Sequence, residues 1–397
     1  MKKIAILGFG VVGGGVAELL TSNQSEVSRL AGDEIEIKYI LDLREFPNSP
    51  FGDRVVHDFG IIENDPEISL VCELMGGSHP AYEYTVRALK AGKSVVTSNK
   101  EVVANFGEEF LSLAKRNGVS YRFEASVGGG IPIIETLISS LKQNKISEIR
   151  GILNGTTNYI LTKMFSFGES FEAALSDAQE KGYAERNPDA DVLGYDAARK
   201  IAILTALASG NLYSTELIHT EGITGIRKAD VSFAEKIGMQ IKLVGRCILE
   251  NETPLAFVAP FMVGLDSPLM TVSGVYNAVE VISSPLDNVM LYGRGAGAGP
   301  TASAVVSDIA AAFRLGKCDT PPTFVRKTDI FDFDLFETKT YLAFDRAEIE
   351  KVRGAFSKAA IYEYEEVAVI TSKMSEAALS ALLKKHALTP KSRIRLL

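Results

Sequence analysis

"KIAILGFGVVGGGVAELL", residues 3–20, reads as a buried strand, a glycine turn and a helix. Ile4 to Leu7 form an unbroken apolar run, and a helical pattern begins at about Val12. Between them the turn Gly8-Phe9-Gly10-Val11-Val12-Gly13 carries the spacing G-x-G-x-x-G. Each glycine has its own task. The first makes the tight turn, the second lets the backbone approach a pyrophosphate, and the third lets helix and strand pack closely. The helix N-terminus then faces the phosphates. Outward from this stretch, strands at 35–41, 69–74, 94–97 and 119–125 alternate with helices near 80–91 and 101–117. The alternation predicts an α/β fold with a Rossmann-type, doubly wound parallel sheet over residues 1–130.

In such sheets ligands bind beyond the carboxyl ends of the strands. The second strand ends at Asp42, where a carboxylate accepts from the ribose of NAD, and Arg44 follows, where a guanidinium meets the 2′-phosphate of NADP. The sequence favours NAD slightly and leaves NADP open. Gly76 and Gly77 of "MGGSHP" and Ser98 and Lys100 of "TSNKE" complete the expected cofactor-binding set. Lys100 opens a helix, where a cation opposes the dipole, so a functional reading is preferred over a structural one.

With 397 residues the chain is too long for one core, and two or three domains are expected. Its 42 Lys and Arg stand against 50 Asp and Glu, a net charge of −8 with no basic block, which argues against nucleic acid. Cys72, Cys247 and Cys318 are scattered without metal or disulfide spacing, and no run reaches the roughly 18 apolar residues of a membrane span. A cytoplasmic protein without membrane attachment is expected.

"KGYAERNPDADVLGYDAARK", residues 181–200, gathers Glu185, Asp189, Asp191 and Asp196 and ends on Lys200, before the apolar run "IAILTALA". A plain reading exists: acids suit a helix start, and Asp196 with Lys200 is an i,i+4 pair. The apolar run nevertheless places Lys200 in a partly buried turn, so the segment reads as a site for a small molecule carrying both charges. Alternating strands near 241–249, 255–262, 278–283 and 288–293 predict a mostly antiparallel second sheet. "GRGAGAGPTASAVVSDIAAAF" then reads as a second glycine loop before a helix at 301–316 that returns to the first domain, with Gly297 placed to close over the nicotinamide, to act as a hinge, or both.

Six motifs in order, "GFGVVGGGV", "VVTSNKEVVA", "FEASVGGGIPII", "ILNGTTNYIL", "GYAERNPDADVLGYDAARK" and "GRGAGAGPTASAV", make the chain resemble single-function bacterial homoserine dehydrogenases over roughly residues 1 to 316. The resemblance implies NAD(P)-dependent interconversion of L-homoserine and L-aspartate 4-semialdehyde. It implies catalytic roles for Lys100, Lys200 and Asp196, and substrate-binding roles for Glu185, Asp191, Gly155 and Thr156. It implies a sodium ion held by Glu124 and by the carbonyls of Val127, Gly129 and Ile131. It also implies a catalytic and dimerisation domain over 131–300 in a homodimer or homotetramer. Arg186 departs from the family's usual small residue after the glutamate. Rival readings are a dehydrogenase for another amino-acid aldehyde and a dinucleotide sensor without turnover. An acylating enzyme is disfavoured, since Cys72 lies in an apolar strand.

On this reading Lys200 delivers the proton as negative charge grows on the aldehyde oxygen, and Asp196 favours its charged form while burial opposes it. Residues 338–397 read as strand, helix, strand, helix. They resemble a shortened or degenerate ACT domain, with docking or oligomerisation preferred over threonine sensing.

Overall fold

The structure is a computed structural model, and it describes residues 1–249, 253–316, 319 and 321–397. Cys318 lies outside the described residues. The chain divides into two compact units, residues 1–145, 202–215 and 291–328 in the first and residues 146–201, 216–290 and 329–397 in the second.

The first unit opens with β1 (Lys2–Leu7), α1 (Val11–Ser22), α2 (Gln24–Ala31), β2 (Ile35–Leu41), β3 (Val55–Val56), α3 (Phe59–Asn64), β4 (Ile68–Glu73), α4 (Ala81–Lys90), β5 (Ser94–Thr97), α5 (Lys100–Asn117) and β6 (Tyr121–Arg122). Its sheet runs β3-β2-β1-β4-β5-β6, every pair parallel. This is the doubly wound order whose ligand crevice lies where the strand order reverses, beside β1 and β4. Ile4 to Leu7 are fully buried, as a strand covered on both faces requires. The expected strand over 119–125 stops at Arg122. From Glu124 the chain turns into a short 3₁₀ segment because that carboxylate caps the single turn α6 (Ile133–Glu135).

Next come β7 (Lys145–Ile152), α7 (Gly155–Phe167), α8 (Phe171–Glu180), α9 (Asp189–Val192), α10 (Tyr195–Ser209), β8 (Asn211–Tyr213), β9 (His219–Thr220), α11 (Lys228–Lys236), β10 (Gln240–Ile248), β11 (Leu255–Val263), β12 (Tyr276–Ser284), β13 (Asp287–Arg294) and α12 (Ala298–Leu315). Residues 291–328 belong to the first unit, where Ala302, Val305 and Ile309 of α12 share a core with Ile4, Ile6 and Val16. Gly15 allows this packing, since a Cβ there would lie 3.2 Å from the Ala298 carbonyl oxygen.

The chain ends with β14 (Val325–Lys327), β15 (Glu337–Thr338), β16 (Thr340–Phe344), α13 (Ile349–Ala355), β17 (Ala360–Glu363), β18 (Val367–Ile370), β19 (Met374–Ser375), α14 (Glu376–Lys385) and β20 (Ser392–Leu396). The second sheet has ten strands in the order β13-β12-β7-β10-β11-β20-β16-β18-β17, with β9 also on β11. Most pairs are antiparallel, and β20 and β9 join β11 in parallel. All nine residues of β11 are buried, which explains its unbroken apolar run. Two strands, β17 and β20, were absent from the sequence reading of the tail. With them the tail forms a complete β-α-β-β-α-β module, joined to the larger sheet through β20 and β11.

Candidate active site

In the first unit the glycine turn is built tightly. A Cβ on Gly13 would lie 2.1 Å from the Gly8 carbonyl oxygen, so only glycine lets α1 start this close to β1. Gly8 itself takes φ +92°. A Cβ on Gly10 would meet nothing within 4 Å, leaving the helix N-terminus open to a pyrophosphate. Beside it lies a cavity of about 340 Å³ lined by Gly8, Asp42, Arg44, His57, Met75 and Tyr84, among others. These residues fit a dinucleotide.

Asp42 is heavily engaged. Its oxygens accept from the Phe9 N–H at 2.8 Å, from the Arg44 N–H at 3.0 Å, and from Arg44 Nε and Nη2, each at 3.0 Å. The Arg44 fork, foremost, holds the carboxyl well below the usual carboxylate range, against the opposing pull of burial. His57 Nδ1 lies 2.7 Å from the Asp42 carbonyl oxygen, which raises the imidazole pKa together with Glu45.

The loops after β4 and β5 are tied together by Asn99, which caps α5, and by Glu73, which the sequence reading missed. Glu73, fully buried, accepts from the Met75 N–H at 2.9 Å and the Thr97 hydroxyl at 2.6 Å. Burial pushes its carboxyl up to about 7. Asn99 caps α5 by accepting from the Glu101 and Val102 N–H groups, and its Nδ2 donates to the Gly77 carbonyl at 2.7 Å. Lys100 is thereby fixed as the first residue of α5, with Ser98 held by an N–H bond to the Glu73 carbonyl. Gly76 and Gly77 stay exposed on the intervening loop.

In the second unit Lys200 is 8 % exposed on α10, its ammonium 2.7 Å from Asp196 Oδ2 and 2.7 Å from the Leu153 carbonyl oxygen. Asn154 organises this group. Its Nδ2 donates to Asp191 Oδ1 at 2.7 Å and to Asp196 Oδ2 at 2.9 Å, while its Oδ1 caps α7 by accepting from the Thr157 N–H. Asn154 was not singled out in the sequence, although Asn is a favoured residue at a helix N-cap. Its link to two acids some forty residues on was not legible there. Gly155 opens α7, and the Thr156 hydroxyl donates to the Tyr183 carbonyl at 2.6 Å. Glu185 is exposed on the loop after α8, outside the hydrogen-bonded group, and its carbonyl accepts from Gln179 Nε2 at 3.0 Å.

Glu124 is buried, its oxygens accepting from the Ile134 N–H at 2.9 Å and the Glu135 N–H at 2.6 Å. Its own N–H donates to Asp308 of α12 at 2.8 Å. Burial pushes these carboxyls up to about 7 and about 8. Among the described residues, no group of three or more His, Cys, Asp or Glu is arranged to hold a metal ion. Val127 and Ile131 of the following loop are buried, and the Ile131 carbonyl accepts from the Ile133 N–H at 2.8 Å. Gly129 has φ +57°, and a Cβ there would lie 2.5 Å from the Gly295 carbonyl oxygen, so the two glycine loops touch directly. Gly297 stands at the N-cap of α12 with φ +119°.

A family model described as the NAD binding domain of homoserine dehydrogenase matches residues 8–124, and one for homoserine dehydrogenase matches 132–310. The homoserine dehydrogenase of Synechocystis sp. is 45 % identical over 313 residues, 77 % of this chain and 72 % of that protein. A solved homoserine dehydrogenase from Thiobacillus denitrificans is 34 % identical with a TM-score of 0.93, covering 100 % of this chain and 98 % of its own. A hyperthermophilic archaeal homoserine dehydrogenase in complex with NADPH is 29 % identical with a TM-score of 0.69, covering 81 % of this chain and 100 % of its own. The chain belongs to the homoserine dehydrogenase family, whose members interconvert L-homoserine and L-aspartate 4-semialdehyde with a nicotinamide dinucleotide.

Proposed function

We propose that Lys200 is the proton donor in reduction and the acceptor in oxidation. The ammonium of Lys200, nearly buried and hydrogen-bonded to Asp196 and the Leu153 carbonyl, carries this reading. The bound nicotinamide supplies or accepts the hydride. As charge develops on the aldehyde oxygen, a fixed ammonium stabilises it and delivers a proton. Asp196 orients that ammonium, Asn154 orients Asp196 and Asp191, and Asp191 with Glu185 receives the substrate ammonium. Gly155 and Thr156 at the N-terminus of α7 favour the substrate carboxylate. Lys100 keeps the second catalytic assignment. Lys200→Ala is expected to lower kcat roughly 10²-fold or more with dinucleotide affinity unchanged. A native kcat would sink the assignment.

The first unit carries the dinucleotide and the second the substrate. NADP is preferred, because an ionised carboxylate has about four acceptor sites and the chain's own N–H groups fill those of Asp42. Both ring nitrogens of His57 are engaged, by the Asp42 carbonyl and by Glu45, which leaves the exposed Arg44 to meet a 2′-phosphate. A sodium ion is held by Glu124 and the carbonyls of Val127, Gly129 and Ile131. The enzyme works in the cytoplasm as a homodimer or homotetramer joined through 131–300. Equilibrium sedimentation giving a monomer would remove that assembly.

A further inference from the structure

The loop after β9 packs directly on α9. A Cβ on Gly222 would lie 2.1 Å from the Val192 carbonyl oxygen, and the Ile223 N–H donates to that same oxygen at 2.8 Å. Asp191 is the adjacent residue of α9. On the other side of Gly222, Glu221 is fixed from the end of the chain. Arg395 on β20, 1 % exposed, donates from Nη1 and Nη2 to the two Glu221 oxygens at 2.6 and 2.8 Å. Its Nε and Nη2 also reach Glu376 at 2.7 and 3.0 Å. His219 Nε2 lies 2.7 Å from Glu221, and its ring stacks on Phe333 with centroids 3.7 Å apart. The Glu221 N–H donates to the Val258 carbonyl of β11 at 2.8 Å. Glu221 is therefore held in backbone and side chain.

A buried arginine between two carboxylates is a costly way to attach a strand, since apolar residues of similar volume hold as well. What the planar fork adds is direction, because it fixes both oxygens of one carboxylate. We propose that Arg395 and Glu221 are positioning residues for Asp191: β20 braces the loop that seats α9 and so sets the substrate's ammonium site. The brace rests on the reading of Asp191 as a substrate ligand.

Three variants separate the possibilities. Asp191→Asn is the reference and should raise KM for homoserine. Glu221→Gln is expected to raise the same KM about tenfold, with kcat and the dinucleotide KM within about twofold. Glu221→Asp keeps the charge but draws the carboxylate back from the Arg395 fork and should give the same signature. If Asp191→Asn raises KM while a folded Glu221→Gln enzyme keeps its native KM, the brace is overturned and the substrate reading stands. Should Glu221→Gln not fold, Glu221→Asp decides: raised KM supports the brace, and native KM overturns it. Native KM in Asp191→Asn removes both.

Discussion

Arg44 shows what a single side chain decides. The strand-end carboxylate followed by an arginine was visible in the sequence, where it favoured NAD. The proposed preference for NADP rests on Arg44 itself occupying Asp42. Arg44→Ala should lower the ratio of kcat/KM for NADPH over NADH by about tenfold or more, the scale of one lost charged hydrogen bond. An unchanged ratio would return Asp42 to ribose recognition. Glu73 was invisible, being an acid inside an apolar strand. Its carboxyl is raised to about 7 by burial, so the folded state binds its proton more tightly than the unfolded chain does. The stability this contributes is complete below the ordinary glutamate range and is lost as pH rises through about 7. Urea unfolding at pH 5 and pH 8 should show Glu73→Gln losing less stability on the alkaline side than the native protein. Equal losses in both would show that Glu73 does not titrate in this window.

Elements were legible where one physical rule acted alone. Ile4 to Leu7 give β1 its unbroken apolar run, and Asn99 precedes α5 as its cap. The rule failed at 119–125, where an apolar pattern leads into a buried carboxylate whose partners, Ile134, Glu135 and Asp308, cannot be read locally. It failed again at β20, because "SRIRL" buries Arg395 where a strand pattern demands an apolar residue. The loop after β6 makes a prediction at this scale. If Glu124 and the neighbouring carbonyls hold sodium, the ion binds only the folded chain and raises Tm as its concentration grows. NaCl should therefore protect more than choline chloride at equal ionic strength, and Glu124→Gln should abolish the difference. Equal protection by both salts in the native protein would leave Glu124 a purely structural cap.

At the scale of the chain, the sequence treated the tail, residues 338–397, as an appendage to domains at 1–130 and 131–300, whereas residues 329–397 share a compact unit with 146–201 and 216–290. The tail instead completes the second unit through polar interactions that hydropathy patterns cannot reveal. Asp230 of α11, fully buried, accepts from the Arg227 N–H at 2.9 Å, from Arg227 Nη2 at 2.8 Å, from the Ser392 hydroxyl at 2.7 Å and from the Tyr341 hydroxyl at 3.1 Å. Arg227 also forks onto Glu366 at 2.9 and 3.0 Å. Arg227 and Asp230 together thus join α11 to three strands or strand ends of the tail. Removing Arg227 leaves a buried carboxylate without its cation, which costs about 3–5 kcal/mol, discounted here toward the lower end because Arg227 is partly exposed. For a protein of this size that corresponds to a fall in Tm of roughly 4 °C. Replacing Asp230 as well, in Arg227→Ala/Asp230→Asn, removes the stranded charge and should recover part of the loss. If Arg227→Ala melts like the native protein, the tail is held by its apolar seam and the charged cluster adds nothing. A full loss that the double variant does not relieve would place the cost in the contacts of the arginine with Glu366 and Ser392 instead.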